Sequence, residues 1–214
     1  RVGHYNAFTK RIYDKDTAAT LRMYIHPKLQ VRIFRFGYPK SHDVSYRKYY
    51  LEYDIVEKEV KRQLLEEKKK ADKALGLIES EQGKQAKERR REDYIEHMRS
   101  IVQKQMEAES RRIALVFREK ECEEEEADLL TDIENMDRQI KELMEKIQKE
   151  DVIFSKNNPW IKTFSALSLQ ETLTQENVKQ CIEKIEVEKF EQVRVIFKHR
   201  IYFHSLPAQW FEEE

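Results

Sequence analysis

The stretch EKECEEEEADLLTDIENMDRQIKELMEKIQK, residues 119–149, decides the fold. Its apolar positions from Leu129 onward recur at alternating spacings of four and three, which is a heptad repeat along one side of an α-helix. Such a helix cannot bury its apolar stripe alone, so it requires a helical partner. The residues predicted to form this coiled-coil interface are Leu129, Ile133, Met136, Ile140, Leu143 and Ile147.

A second helical run, residues 85–116, supplies a partner of nearly equal length. If the chain folds back near Phe117, the two runs form an antiparallel pair that sets Ile95 near Ile140 and Ile113 near Cys122. Residues 115–118 contain no Gly, Pro or Asn to make the turn, so one continuous rod over 85–149, paired with another chain, is the alternative. The apolar side of the second run is predicted to consist of Ile95, Met98, Val102, Met106, Ile113 and Val116.

The overall composition favours long helices with modest cores over a compact enzyme, since 38% of residues are charged and only 39% are hydrophobic. Charge is unevenly placed. Eleven Lys and Arg against five Asp and Glu give residues 1–54 a net charge of +6, so this segment is the only plausible polyanion-binding surface. An ordinary basic surface explains the charge equally well.

The basic segment also shows strand periodicity. Residues 21–25 and 31–36 alternate apolar and polar side chains around a proline-containing break, which predicts a β-hairpin. Basic residues are interleaved with aromatic ones there, and such side chains can contact phosphates. The alternative is that the aromatic residues fill a small core. The candidate DNA-binding residues are Arg32, Arg35, Lys40, Arg47 and Lys48.

Residues 151–214 are predicted to form a return segment, which brings the chain back from the arm to the base. Asn158 and Pro159 stop the long helix, a short helix follows at Trp160, and Thr174 is a predicted N-cap for a helix over 175–185. A β-hairpin is then expected over 186–199. The predicted fold class is α+β, mostly α, with a long antiparallel coiled-coil arm on a small β-ribbon, helix and hairpin base. Its predicted parts are a basic β-rich base (1–54), a connecting helix (55–84), the arm (85–150) and the return segment that completes the base (151–214).

We find no catalytic constellation in the sequence. No serine has a nearby His/Asp arrangement, the glycines are scattered singly, and the histidines lack metal-ligand spacing. Neither a catalytic residue nor a metal or other cofactor is therefore expected. Cys122 and Cys181 are predicted to be reduced, buried thiols of a cytoplasmic protein, because they lie far apart and outside any Cys-x-x-Cys pair. The sequence has no signal peptide and no apolar run of membrane length, so no membrane partner is expected.

One series of residues in the last third carries a family resemblance: Asn158-Pro159-Trp160, Phe164, Leu173-Thr174, Val178, Ile182, Ile185-Glu186-Val187 and Val195-Ile196-Phe197-Lys198. This order resembles the C-terminal end of large serine recombinases, the serine integrases and transposon recombinases of phages and mobile elements. The stretch from Tyr49 to Val56 resembles the junction where the family's zinc ribbon leads into its first helix. The resemblance implies a coiled coil inserted into a DNA-binding ribbon domain, here a degenerate one.

Three departures from the family limit what carries over. The catalytic domain with its nucleophilic serine is absent from the chain, and so are the ribbon's four cysteines, so no zinc site is expected. The glycine-bearing tip that the family has between its two arm helices is missing near Phe117. The resemblance then implies a non-catalytic C-terminal module that binds double-stranded attachment-site DNA. It also implies self-association through the arm, which brings recombining sites together and is redirected in the family by a small directionality factor. The alternative is a coiled-coil adaptor or scaffold without a nucleic-acid role.

Overall fold

The fold is α+β and mostly α, as predicted. The computed structural model describes residues 6–26, 28–36, 50–117, 123–169, 173–189 and 192–212, and within these it has six α-helices and two three-stranded sheets. The chain divides into two compact units. The mixed unit comprises Arg1–Leu75 and Pro159–Glu214, and the helix-pair unit comprises Gly76–Asn158.

One sheet of the mixed unit joins the two ends of the chain. Its strand order is β1-β5-β6, with β1 parallel to β5 and β5 antiparallel to β6. Ile12 lies opposite Ile185 in the β1–β5 register, and both side chains are fully buried. The strands are β1 (Ile12–Asp14), β5 (Ile182–Glu188) and β6 (Gln192–Phe197).

The second sheet is the predicted hairpin extended by one short strand. It consists of β2 (Leu21–Ile25), β3 (Arg32–Phe36) and β4 (Leu51–Glu52), all antiparallel and in that order. The prediction of a hairpin over this segment is confirmed. Its inner face packs on a three-ring cluster in which Phe34 lies 6.0 Å from Phe8 and 5.6 Å from Tyr53, measured between ring centroids.

Helix α1 (Tyr53–Glu79) contributes one buried face to the mixed unit through Val56, Val60 and Leu64, each with no exposed surface. The side chain of Gln63 completes the open edge of β6. Its Nε2 donates to the Val193 carbonyl at 2.8 Å, and its Oε1 accepts from the Val195 amide at 3.0 Å. This satisfies backbone groups that an edge strand otherwise leaves unpaired.

A buried carboxylate ties α1 to the returning chain. The short helix expected at Trp160 is α4 (Pro159–Ser165). Trp160 Nε1 donates to Glu67 Oε1 at 3.0 Å, and Arg200, at the start of α6 (Arg200–His204), forms an ion pair with the same oxygen. Glu67 is only 3% exposed, and burying a charge is tolerated when it is paired and hydrogen-bonded in this way.

The helix predicted over 175–185 is wrong in its second half. Thr174 is indeed the N-cap, with a reciprocal capping box to Asn177, but α5 (Gln175–Cys181) ends where β5 begins at Ile182. The spacing of Val178, Ile182 and Ile185 fits a helix. Pairing with β1 on one side and β6 on the other overrides this local preference.

The helix-pair unit begins at Gly76, in the last turn of α1, and a break at Ser80 separates α1 from α2 (Glu81–Val116). Ser80 adopts an extended conformation, and its hydroxyl accepts from the Gly83 amide at 3.3 Å as an N-cap. A Cβ at Gly83 would lie 2.2 Å from the Leu77 carbonyl oxygen. Glycine is therefore required at residue 83, because any larger residue would collide with the backbone of α1 at this break.

Helices α2 and α3 (Glu123–Ile153) pack against each other in antiparallel orientation. Lys87 Nζ lies 2.7 Å from Asp151 Oδ1, and at the opposite end Arg112 Nε lies 3.4 Å from Glu126 Oε1. Residues early in α2 thus contact residues late in α3. The single-rod alternative is wrong, and the predicted fold-back is confirmed. The predicted neighbour of Ile113, Cys122, lies outside the described residues.

The prediction of the apolar face of α2 is wrong, because the buried face is displaced from it by about one residue. Val102, Met106, Ile113 and Val116 are exposed, at 39%, 66%, 56% and 65%. The helix instead buries Ile101, Ala108 and Leu115, which belong to a heptad series whose other members are partly buried: Tyr94, Met98, Gln105 and Arg112.

Polar contacts explain this displacement. Gln105 Nε2 donates to Asp137 Oδ1 at 2.7 Å, and Arg112 reaches Glu126. Two polar residues therefore occupy positions of the packed face of α2, because α3 provides carboxylates for them. The small side chain of Ala108 lies on the same face. Hydrophobicity alone cannot identify such a face.

Candidate nucleic-acid interface

The β2–β3 hairpin brings two arginines together on its outer face. Arg22 and Arg35 are directly opposite each other in the antiparallel register, and both are exposed. Like charges placed opposite each other across strands are destabilising, so this pair maintains a local positive charge at some cost to the sheet. An anion bound between them would remove that repulsion.

Arg35 is held in place by an aromatic ring on the neighbouring strand. Its guanidinium carbon lies 4.0 Å from the centroid of the Tyr24 ring, within the distance of a cation–π contact. This contact holds the Arg35 guanidinium beside the Tyr24 ring, and Arg35 remains exposed to solvent. Planar N–H donors in a fixed plane match the oxygens of a phosphate group.

Arg32 lies on the opposite face of β3, as alternation along a regular strand requires. Its Nη2 donates to Asp54 Oδ1 at 2.8 Å, and its guanidinium carbon lies 3.8 Å from the Tyr53 ring centroid. Arg32 therefore joins β3 to the start of α1, and the structure does not bring it together with Arg35.

The remaining predicted DNA-binding residues, Lys40, Arg47 and Lys48, lie outside the described residues. The structure adds Arg22, which sequence reasoning missed. The signal was available, because alternation along residues 21–25 sets Arg22 apart from the inward-facing Leu21 and Met23. The sequence does not give the strand register, and only the register shows that Arg22 lies opposite Arg35.

Two further charges border the hairpin. Lys28 is exposed in the connection between β2 and β3 and adds positive charge at that end. Glu52 of β4 lies opposite Ile33, on the same face as Arg35, and is partly buried. The exposed charge at the centre of the β2–β3 face thus comes from arginines, with one carboxylate at its border.

The predicted coiled-coil residues occupy the face of α3 that packs within the chain. Ile133 and Leu143 are buried, at 7% and 4% exposed. Leu129, Met136, Ile140 and Ile147 are partly buried on the same face. These six side chains are therefore engaged by the chain's own α2, and a contact with a second subunit would have to use another surface.

One buried carboxylate interrupts this packed face. Glu150 is 3% exposed, and its Oε2 has no hydrogen-bond partner among the described residues. Arg90 Nη1 approaches that oxygen only to 3.6 Å, and the Tyr94 hydroxyl lies 3.5 Å from the other oxygen. Burial raises the pKa of the Glu150 carboxyl, and the nearby Arg90 charge opposes the shift.

No group of three or more metal-ligating side chains occurs in the part of the chain that the structure describes. Cys181 is buried, as predicted, and burial raises the pKa of its thiol to about 11, so it remains protonated and unreactive at neutral pH. Cys122 lies outside the described residues.

Comparison with known proteins gives no relatives. No protein-family model matches the chain, and no curated protein and no solved structure is similar enough to count as a match. Among the described residues, no helix is both long and apolar enough to cross a membrane.

Proposed function

We propose that this chain is the non-catalytic C-terminal module of a serine site-specific recombinase. In this proposal the mixed unit binds double-stranded attachment-site DNA, and the helix-pair unit carries subunit association. The module works in the cytoplasm, and a small directionality factor redirects the association.

The observation that carries the DNA-binding half is the pair Arg22 and Arg35. They are exposed and opposed in register, and the Arg35 guanidinium contacts the Tyr24 ring. Two exposed guanidinium groups on adjacent strands suit two oxygens of a nucleic-acid backbone. Lys40, Arg47 and Lys48 extend the same basic segment in the sequence.

The association half of the proposal is supported by the exposed apolar side chains of α2. Val102, Met106 and Ile113 lie on a helix whose partner in the chain covers a different face. Exposed apolar side chains arranged along one helix face are typical of an interaction surface. This observation also suits an adaptor without a nucleic-acid role, so DNA binding is the deciding measurement.

The test measures binding to duplex DNA by fluorescence anisotropy across a salt series. The logarithm of the binding constant should fall linearly with the logarithm of salt concentration. Replacing both Arg22 and Arg35 with Gln should make that slope shallower by about 1.8, which corresponds to two lost phosphate contacts at about 0.9 each.

A matched control is Arg62→Gln, because Arg62 is also exposed but lies on α1 in ion pairs with Glu59 and Glu66. It should leave the slope unchanged. If the wild-type chain does not bind DNA at low salt, the recombinase proposal is wrong and the adaptor alternative takes its place. If the double variant keeps the wild-type slope, the β2–β3 face is not the interface.

A further inference from the structure

A stripe of exposed and partly buried side chains runs along α2 beside the face that packs on α3. Each member follows a packed position by one residue, as Val102 follows Ile101 and Ile113 follows Arg112. The α2 stripe, as we call it, spans about 27 Å at 1.5 Å per residue. It comprises Ile95, Arg99, Val102, Met106, Glu109 and Ile113, of which Ile95 and Glu109 are partly buried. Val116, which is 65% exposed, continues the series toward the end of α2.

On α3 the same flank carries two apolar side chains, which are separated by the exposed and charged Glu134, Asp137 and Lys141. Leu130 and Met144 are 39% and 52% exposed, and each follows a packed position of α3 by one residue. In an antiparallel helix pair, positions with this offset fall on the same side of both helices. The opposite side of α2 carries His97, Lys104 and Arg111 at the equivalent places, so only one flank is apolar.

The α2 stripe is complementary to itself when reversed. Spacings of four, three, four, three and four are the same in either direction. Reversal about the midpoint between Val102 and Met106 sets these two opposite each other and sets Ile95 opposite Ile113. It also sets Arg99 of each copy opposite Glu109 of the other, which gives two Arg–Glu ion pairs. Within one chain, Glu109 Oε2 also lies 3.6 Å from Arg112 Nη1.

We infer that the α2 stripe is a docking surface for the same stripe of a second copy of this chain, packed antiparallel about a two-fold axis. A two-fold interface requires that residue i contact residue j and that j contact i, and the six residues from Ile95 to Ile113 meet this requirement. Val116, the next residue of the same series, falls opposite Glu92 in this arrangement. Arg99 and Glu109 fix the register, because any slip along the stripe separates the two ion pairs. The inference deepens the association half of the proposed function and names its surface.

The first test is sedimentation velocity of the whole chain without DNA, over a concentration series at low ionic strength. The wild-type chain should dimerise. Met106→Asp should raise the dimer dissociation constant at least about tenfold, because it places a charge at the apolar centre of the interface. Ser100→Asp adds the same charge to an exposed position about 120° away around the helix and should change the constant less than about twofold.

The second test reverses the charges and does not depend on the fate of Met106→Asp. Arg99→Glu and Glu109→Arg should each weaken the dimer, and the double variant should restore it to within about threefold of wild type, with unchanged helicity by circular dichroism.

Three results would overturn the inference: a monomer over the whole concentration series, equal effects of Met106→Asp and Ser100→Asp, or a double variant as weak as the single ones. DNA binding is measured separately with the arginine variants. A monomeric chain that still binds DNA with a steep salt slope therefore rejects the docking surface and leaves the DNA-binding proposal standing.

Discussion

The packing of α3 on α2 can be tested with two neighbouring residues. Leu143 is 4% exposed on the packed face, and Met144 is 52% exposed beside it. Replacing Leu143 with Ala removes three buried carbon atoms. Fully enclosed Leu→Ala changes cost about 3–5 kcal/mol, and a helix pair encloses the side chain from fewer directions, so we expect about 2–3 kcal/mol. Met144→Ala should cost less than about 1 kcal/mol, because about half of its side chain is in water.

The assay is urea denaturation followed by two signals. Both tryptophans, Trp160 and Trp210, belong to the mixed unit, so their fluorescence reports on that unit. Circular dichroism at 222 nm is dominated by the long helices. Leu143→Ala should shift the dichroism transition to lower urea and leave the fluorescence transition near its wild-type midpoint. Equal dichroism midpoints for Leu143→Ala and Met144→Ala would refute the packed face described above.

Two further predictions concern the same unit. Gly83→Ala should destabilise the chain by more than about 1 kcal/mol, because its Cβ would collide with the Leu77 carbonyl oxygen. Gly76→Ala has open space around the new Cβ and should stabilise α1 by roughly 0.5–1 kcal/mol. Thermal denaturation of the two variants and the wild type measures both effects. Glu150 has a raised pKa when folded, so its protonated form stabilises the fold below its unfolded pKa, and that contribution is lost as pH rises through the folded value. The stability of the wild type relative to Glu150→Gln should therefore fall as the pH rises above about 4, the pKa of an unfolded glutamate, and a constant difference in urea midpoint would contradict it.

Local periodicity correctly predicted the elements that depend mainly on interactions between residues close together in the sequence. The β2–β3 hairpin follows from alternation within residues 21–36, and the packed face of α3 follows from its heptad repeat. Thr174 as an N-cap also depends only on its immediate neighbours. In each case the decisive interactions lie within a few residues of the pattern.

The features that sequence reasoning missed depend on residues distant in the chain. The packed face of α2 depends on Asp137 and Glu126 of α3, which accept from Gln105 and Arg112. The strand at Ile182 depends on β1, about 170 residues earlier. The candidate site shows the same limit, since Arg35 was predicted from its own strand and Arg22 required the register between two strands.

The parallel pairing of β1 with β5 has a consequence for biosynthesis. Strand β1 emerges from the ribosome before the helix pair, but its partner emerges only after α2 and α3 have been completed. The helix pair makes contacts between segments adjacent in the chain, and contacts of short sequence separation form fast. We therefore expect the helix pair to fold during translation while β1 waits for β5. A premature stop before Ile182 would leave β1 without its neighbour in the sheet, so nascent chains cut there should keep a protease-resistant helix pair and lose protection of β1.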